Sequence, residues 1–381
     1  MPHLPVMLAA TIASGAALGV AWPGTLTSAL SVACCAWVGA LTAWHRGWPR
    51  SLVACGLAGI AAAAAVLGGM AFTAVARAPL VTVLEEAGAL AADARPDEAT
   101  VRLEGRLTAD AAPMAGGALL RLQVRRVWTG SCGCPQAARG GLVAFVAGGL
   151  AAARVPEWRA GRHVTLTAAV RRPRAFRNRG SPDAHADLVR RRGALVATAK
   201  SALLVEPAVR GSLLSEAAAA VRSRARAALR RAAGPGGEDA AAIGTAVLVG
   251  DRAGLDVTLQ QQLQRAGTYH VIAISGGNIA LFSALVLAVT RALSRRRRAG
   301  LLAAGLVLAA YAAVVGGGAS VLRATGMALV GIAAQMLDQR SAGLNVLALT
   351  GGLLIAADPL LAFDVSFWLT TAATAGILLS L

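Results

Sequence analysis

The sequence has few charged residues, and acidic ones are the scarcest. Only 15% of the 381 residues are Asp, Glu, Lys or Arg, whereas 56% are hydrophobic and the mean hydropathy is +0.60. A water-soluble protein of this length needs more polar surface, so the composition excludes that class and indicates a membrane protein. The 37 basic residues outnumber the 19 acidic ones, which gives a net charge of +18. Arginine dominates lysine, and this favours phosphate-bearing partners, either anionic lipid or nucleic acid.

Patterns typical of catalysis or metal binding are also lacking. The five histidines are scattered without the spacing of metal ligands. The sequence contains no glycine-rich phosphate loop, no nucleophile elbow and no spaced pair of carboxylates in a polar setting. We therefore predict no metal, no cofactor and no enzymatic activity.

The five cysteines fall into two groups. Three lie in apolar runs, where they behave as small apolar side chains. Cys132 and Cys134 lie in the polar middle of the chain, and a single residue separates them. Such a tight ring departs from ordinary disulfide geometry, so a strained local disulfide, a free dithiol and pairing with another chain all stay open.

Long apolar runs predict membrane-spanning helices in two blocks. Three runs occupy residues 1–76, and about five occupy residues 268–381. The runs are Leu4–Trp22, Leu26–Trp44, Leu52–Val75, Thr268–Leu293, Ala299–Ala319, Ser320–Leu337, Ala342–Ala357 and Leu360–Leu381.

Positive charge orients these predicted spans. The loop His45–Arg50 and the cluster Arg295–Arg298 each separate two apolar runs, and the positive-inside bias places both in the cytoplasm. We expect a multi-pass protein of the cytoplasmic (inner) membrane, with a cytoplasmic N-terminus and an extracytoplasmic segment between the blocks. The last run stops at Leu381 without a polar tail, so we expect the chain to be truncated there.

Residues 77–211 show the alternation typical of β-strands. Apolar and charged residues alternate around Val101–Leu107 and Leu120–Arg125, which predicts half-buried strands. Leu142–Val146, Val164–Val170 and Leu195–Ala199 complete about five strands. The expected fold class is a polytopic α-helical membrane protein with an extracytoplasmic insert that forms a small, OB-like β-barrel.

Basic residues are concentrated in this insert. Arg121 and Arg125 fall on one side of a predicted strand, with Trp128 just beyond them. A cationic groove with a stacking ring holds single-stranded nucleic acid without reading its sequence. The alternative is a solvated strand face with the tryptophan in the core or at the lipid headgroups. The candidate nucleic-acid-binding residues are Arg121, Arg125, Arg126, Trp128, Arg171, Arg172, Arg174 and Arg177.

Residues 212–267 predict amphipathic and interfacial helices. Ser212 is placed as an N-cap, and Arg222, Arg226 and Arg230 recur on one face of the helix that follows. We favour a helix lying flat on the outer membrane surface, with direct contact to nucleic acid as the alternative.

Two polar features interrupt the second membrane block. Ser275–Asn278 contains two adjacent glycines, and a broken helix at membrane depth is tolerated only against protein or a water-filled cavity. Arg323 lies inside another run, where a charged residue is costly and faces a cavity or a partner. The alternative is a glycine packing notch together with an arginine that reaches the interface.

Several of these segments resemble one known family. The run His270–Gly276 (HVIAISG) is similar to the signature of the ComEC family of competence proteins, which are membrane channels for DNA uptake in natural transformation. Further segments resemble family elements in the same order, namely Asn178–Gly193, Ala246–Leu255, Ala319–Ala324 and Asp364–Leu378. The second histidine that is common in the family is Asn278 here.

The resemblance implies a channel component that imports single-stranded DNA across the cytoplasmic membrane. It implies a membrane-anchored DNA receptor and a cytoplasmic helicase-type ATPase as partners, besides membrane lipids, and it allows a homo-oligomer. The metallo-β-lactamase-like domain of longer relatives has no counterpart in this sequence, so no nuclease activity is expected. The residues expected to line the DNA path in the membrane are His270, Ser275, Gly276, Gly277, Asn278, Gly250, Asp251, Arg252 and Arg323.

Two other functions fit the same residues. A transporter of a small anionic solute also needs a broken helix and a buried arginine. A non-catalytic envelope scaffold also needs basic faces, which would bind anionic lipid.

Overall fold

The structure is a computed structural model of the whole chain, and it divides into two compact units. The first comprises residues 1–74, 275–312 and 317–381, and the second comprises residues 75–274 and 313–316. The structure describes residues 4–90, 100–129, 134–173, 183–206, 209–250, 255, 257–267, 276–316, 319–339 and 342–380.

Most of the described residues are helical. In chain order the α-helices are α1 (Leu4–Ala21), α2 (Leu26–His45), α3 (Pro49–Ala76), α4 (Pro79–Glu86), α5 (Gly149–Arg154), α6 (Ala184–Arg190), α7 (Leu213–Ala233), α8 (Glu238–Val249), α9 (Val257–Arg265), α10 (Gly276–Leu293), α11 (Arg297–Val315), α12 (Ala319–Met336), α13 (Gly343–Ala357) and α14 (Val365–Ser380).

Several helices of the first unit have the length and apolar composition of membrane spans. In the described part of the chain, α1, α2, α3 and α11 are long and apolar enough to cross a membrane. Four shorter apolar helices lie in α10, α12, α13 and α14. The prediction of a multi-pass helical membrane protein is thus confirmed at this level.

Residues from both predicted blocks build the core of the first unit. Ala13 and Ala16 of α1, Ala64 of α3, Ile355 of α13 and Phe367 of α14 form one buried cluster. The first and last helices of the chain therefore pack in a single helical body.

A second cluster in this unit joins α10, α11 and α12. Val286 of α10 and Ile332 of α12 are buried together with Leu301 and Leu308 of α11. The three helices therefore share one buried core.

The second unit is built around a six-stranded sheet. Its strands are β1 (Thr100–Leu107), β2 (Ala112–Met114), β3 (Gly117–Trp128), β4 (Pro135–Ala147), β5 (His163–Arg171) and β6 (Leu195–Ala199). The five strands predicted from the alternation are present. The three-residue β2 was not predicted, because it is too short to show a period.

Strand pairing closes on itself in this sheet. Strand β1 pairs antiparallel with both β3 and β5, β3 pairs antiparallel with β4, and β5 pairs antiparallel with β6. The pair β4–β6 is parallel, and β2 extends the sheet only at β3. Each of the five longer strands therefore has two neighbours within this circuit, and β3 has β2 as a third.

The core of the second unit comes from the inward residues of these strands. Leu103, Leu120, Leu142 and Leu166 are fully buried in one cluster, and α4 contributes residues to the same cluster. Trp158, which follows a short 3₁₀ turn, is also fully buried there. The polar residues that alternate with these buried residues along the strands lie on the outer surface.

Candidate nucleic-acid interface

Strand β3 presents a row of polar side chains on its outer face. Leu120, Leu122 and Val124 are buried, whereas Arg121 and Gln123 between them are exposed. Side chains of a strand alternate between its faces, so Arg121 lies on the face that leads to Arg125. The prediction that the two arginines share one side of a strand is confirmed.

The pairing register of β3 shifts at Arg125 against both neighbouring strands, β1 and β4. On β1, Glu104 pairs with Arg126 and the next residue, Gly105, pairs with Val124, so Arg125 has no partner there. Such a β-bulge turns the strand locally. As a result Arg125 and Arg126 are both exposed, although strict alternation would direct the second inward.

A further arginine faces this bulge from the next strand. Arg139 of β4 lies between Ala137 and Gly140, whose partners on β3 are Arg126 and Val124. The Arg139 side chain is exposed, so it adds to the same basic surface. The sequence did not single it out, because the start of β4 lacks regular alternation.

Beside Arg121 the sheet borders an open groove of about 380 Å³. The β-strands β3, β4 and β6 form its floor, and α6 forms one wall. Asp183 caps α6 by accepting hydrogen bonds from the backbone N–H groups of His185 and Ala186, at 2.9 and 3.1 Å. The lining residues are Leu119, Arg121, Val143, Pro173, Ala184, Asp187, Leu188, Arg191 and Val196.

Neighbouring carboxylates neutralise part of the positive charge. Arg126 lies 3.4 Å from a Glu104 oxygen, and Arg172 pairs with Glu85. Arg121, Arg125 and Arg171 are exposed, and within the described ranges they form no ion pair. Of the residues predicted to bind nucleic acid, Arg121 and Arg125 of β3 and Arg171 of β5 therefore keep their positive charge unneutralised.

The structure places Trp128 at the end of β3, where it is half-buried. The guanidinium of Arg102 lies 5.2 Å from the centre of its ring and so covers one ring face by a cation–π contact. Arg102 also contacts Glu206. Base stacking on Trp128 stays a prediction, and it requires the opposite ring face.

Three predicted residues of the insert lie outside the described residues, namely Cys132, Arg174 and Arg177. Cys134 is described and exposed. The redox state of the cysteine pair therefore stays open.

Helix α7 is fastened to the second unit at its first turns. Ser212 caps it, accepting a hydrogen bond from the Ser215 N–H at 3.3 Å, as the sequence predicted. Arg162 donates to both carboxylate oxygens of Glu216, at 2.9 and 3.0 Å. These hydrogen bonds lower the pKa of the Glu216 carboxyl and raise the pKa of the Arg162 guanidinium.

We expect Glu216→Gln to destabilise the protein by about 2 kcal/mol at neutral pH, a typical value for a hydrogen bond to a charged group. A carboxyl with a lowered pKa stabilises the fold above its unfolded pKa of about 4.3 and loses that contribution as pH falls through the folded-state pKa. Thermal unfolding in detergent should therefore show a gap between wild type and variant at pH 7 that narrows below pH ~4. Glu86→Gln, at an exposed position, is the matched control.

The basic stripe of α7 differs from its prediction. Arg222 is buried rather than directed to solvent or lipid, and its Nη2 lies 3.2 Å from Asp110 Oδ1. That oxygen also accepts a hydrogen bond from the Ala160 N–H at 2.7 Å. Charge pairing with a distant loop has turned this face of the helix inward.

Most of the predicted membrane-path segment lies outside the described residues, including Asp251, Arg252, His270 and Ser275. Gly250 is described. It ends α8 in the left-handed conformation, with φ of 71°, which glycine adopts at little cost.

The glycine pair lies at the start of a helix. Gly276, Gly277 and Asn278 are helical and form the first residues of α10. Ser275 lies outside the described residues, so the predicted interruption of a membrane helix at Ser275–Asn278 stays a prediction.

Arg323 is buried in the first unit, with 2% of its surface exposed. Its Nη1 lies 3.5 Å from the backbone oxygen of Phe367 in α14, which is long for a hydrogen bond. Arg323 is therefore buried among helices, and its place on a DNA path stays a prediction.

Three hydroxyl side chains are buried in the same helices. Ser283 of α10, Thr325 of α12 and Thr350 of α13 are each at most 6% exposed. Thr350 donates to the Val346 oxygen at 2.7 Å, whereas the Ser283 and Thr325 hydroxyls have no partner among the described residues. Sequence reasoning missed them, because single Ser and Thr residues are common in apolar helices.

Comparison with known families identifies the membrane part of the chain. Residues 247–381 match a family model described as Competence protein. This match over the C-terminal part of the chain supports a ComEC-family competence protein. The motifs His270–Gly276, Ala319–Ala324 and Asp364–Leu378 all lie within the matched competence domain, and the family supports a role in competence and DNA uptake. No curated protein and no solved structure matches the chain.

Proposed function

We propose that this competence protein is a channel component that passes single-stranded DNA through the cytoplasmic membrane, and that its second unit is an OB-type barrel that binds the strand. Without the short β2, the strands β1, β3, β4, β5 and β6 are strands one to five in chain order, with strands three and five parallel. OB-folds are five-stranded barrels that bind oligonucleotides on the face of strands two and three.

The basic surface of β3 carries this proposal. Arg121 and Arg125 are on strand two of the circuit, and Arg139 is on strand three. The groove bounded by Arg121 and α6 lies on the same strands, beside the connection between strands four and five. Arginine supplies counter-charge to phosphates without demanding a base sequence. The barrel thus receives the strand, and the helices that contain Arg323 conduct it.

The proposal assigns the other roles to separate proteins. A membrane-anchored receptor delivers DNA to the extracytoplasmic barrel, and a cytoplasmic helicase-type ATPase pulls the strand inward. The competence protein itself performs no catalysis and has a cytoplasmic N-terminus. These assignments follow from the family resemblance and from the basic cytoplasmic loops of the sequence.

The double substitution Arg121→Glu and Arg125→Glu tests DNA binding. The logarithm of the single-strand binding constant falls linearly with the logarithm of the salt concentration, and each lost phosphate contact should make that slope shallower by about 0.7. The double substitution should therefore make it shallower by roughly 1.4. The measurement is fluorescence anisotropy of a labelled oligothymidine with the full chain in detergent, at several salt concentrations. Uptake of labelled DNA into a nuclease-protected cytoplasmic fraction should fall in parallel.

Arg224→Glu with Arg230→Glu is the matched control, because both arginines are exposed on α7 and the change in net charge is the same. This control should bind DNA nearly as well as wild type. Equal losses in the two double variants would show that only net charge matters and would refute a β3 binding face.

A further inference from the structure

The chain between β6 and α7 exposes large apolar side chains that a soluble domain buries. Leu203 is 78% exposed, Val209 66%, Leu213 91% and Leu214 85%. We call these four residues the apolar shoulder. Clustered exposure of this kind marks a surface that contacts a protein or a membrane.

The backbone of the apolar shoulder is held firmly by the barrel. Arg154 Nη1 donates to the carbonyl oxygens of Ala202 and Val205, at 2.7 and 2.8 Å. Val209 and His163 exchange two backbone hydrogen bonds, at 3.0 and 2.8 Å. The exposed leucines therefore project from a fixed scaffold.

The shoulder continues onto the outer face of α7. Glu216 and Arg222 turn the opposite face inward, and Val221, two turns after Leu214, is exposed. Arg210 and Arg224 are exposed beside these apolar residues. An apolar stripe with flanking arginines has the composition of a helix that lies in the headgroup region of an anionic bilayer.

A bilayer is the partner whose chemistry fits this surface. Within its described residues the same chain contains helices long and apolar enough to cross a membrane. The positive charge of Arg210 and Arg224 beside the apolar residues complements the phosphates of anionic lipid headgroups.

We propose that the apolar shoulder inserts into the headgroup region of an anionic membrane leaflet and seats the barrel on the lipid surface. The leucines and Val209 bury apolar area among the acyl chain ends, and the neighbouring arginines pair with lipid phosphates. This surface is distinct from the β3 face, and it does not depend on DNA binding.

Site-specific fluorescence on the full chain tests the insertion. A Leu213→Cys variant, with its five native cysteines replaced, is labelled with a nitrobenzoxadiazole dye and placed in nanodiscs of phosphatidylglycerol and phosphatidylcholine. A lipid quencher attached near the headgroup should quench this dye several-fold more than a dye at Gln123→Cys on the exposed face of β3. Quenching should weaken when the nanodiscs contain phosphatidylcholine alone.

Two results would overturn the insertion. Equal lipid quenching at positions 213 and 123 would place the shoulder in water. Cross-linking between two copies through Leu213→Cys, without lipid quenching, would assign the shoulder to a dimer interface. A dye at Leu203→Cys checks the surface independently, and its quenching should fall when Leu213 and Leu214 are both changed to serine.

Discussion

Replacing Gly19 by valine should prevent the N-terminal helices from packing. A Cβ atom at Gly19 would lie 1.8 Å from the carbonyl oxygen of Ala65, and one at Gly15 would lie 2.1 Å from that of Ala61. Both obstacles are backbone atoms of α3, so no flexible side chain can move aside. The two glycines lie one turn apart, which is the small-residue spacing that lets membrane helices approach closely.

We expect Gly19→Val to lower the free energy of unfolding by about 3 kcal/mol or more, because the clash also forces α1 and α3 apart. The check is the monodisperse fraction after detergent extraction, together with its thermal midpoint. Gly56→Val is the matched control, since that glycine lies in α3, the partner helix, and a Cβ there meets nothing within 4 Å. Similar behaviour of the two variants would refute close packing of α1 on α3.

Replacing Arg323 by methionine should leave the protein folded and stop DNA uptake. The buried guanidinium has one long hydrogen bond within the described ranges, to the Phe367 oxygen. Removing such a charge from an apolar interior costs little stability when a flexible apolar side chain fills the space. The loss of its contact with a phosphate should lower uptake by about 100-fold, which corresponds to ~3 kcal/mol.

The comparison needs both stability and uptake from the same variants. Arg323→Lys keeps the charge but loses the planar guanidinium, which can bind a phosphate through two N–H groups. DNA uptake by this variant should therefore lie between that of wild type and that of Arg323→Met. Ser283→Ala removes a buried hydroxyl from α10 and controls for packing changes in these helices. If Arg323→Met lowers the thermal midpoint as strongly as it lowers uptake, the arginine is structural and the DNA path lies elsewhere.

The helices and strands with a local hydrophobic pattern, either a long apolar run or an alternation, could be predicted from the sequence. Apolar runs marked α1, α2 and α3 nearly to the residue, because hydrocarbon thickness sets the length of a span. Alternation marked β1, β3 and β5, because one face of each strand is buried. Arg121 and Arg125 were placed together for the same reason.

Features that depend on distant residues could not be predicted. The bulge at Arg125 arises from the joint register of β1, β3 and β4. The burial of Arg222 depends on Asp110, more than a hundred positions earlier in the chain. Local periodicity placed Arg222 on a face directed to solvent or lipid. Its ion pair with Asp110 directs it inward instead.

The position of β5 determines how the sheet carries tension. The chain enters the sheet through β1 and leaves it after β6, and β5 pairs antiparallel with both. Thr100, where β1 begins, lies beside Ala169, toward the end of β5, whereas the chain after β6 reaches His163 at its other end. A pull between the two exits therefore shears the β5 ladders lengthwise. All of their hydrogen bonds bear that load together, so the sheet resists a force that would unzip a hairpin one bond at a time.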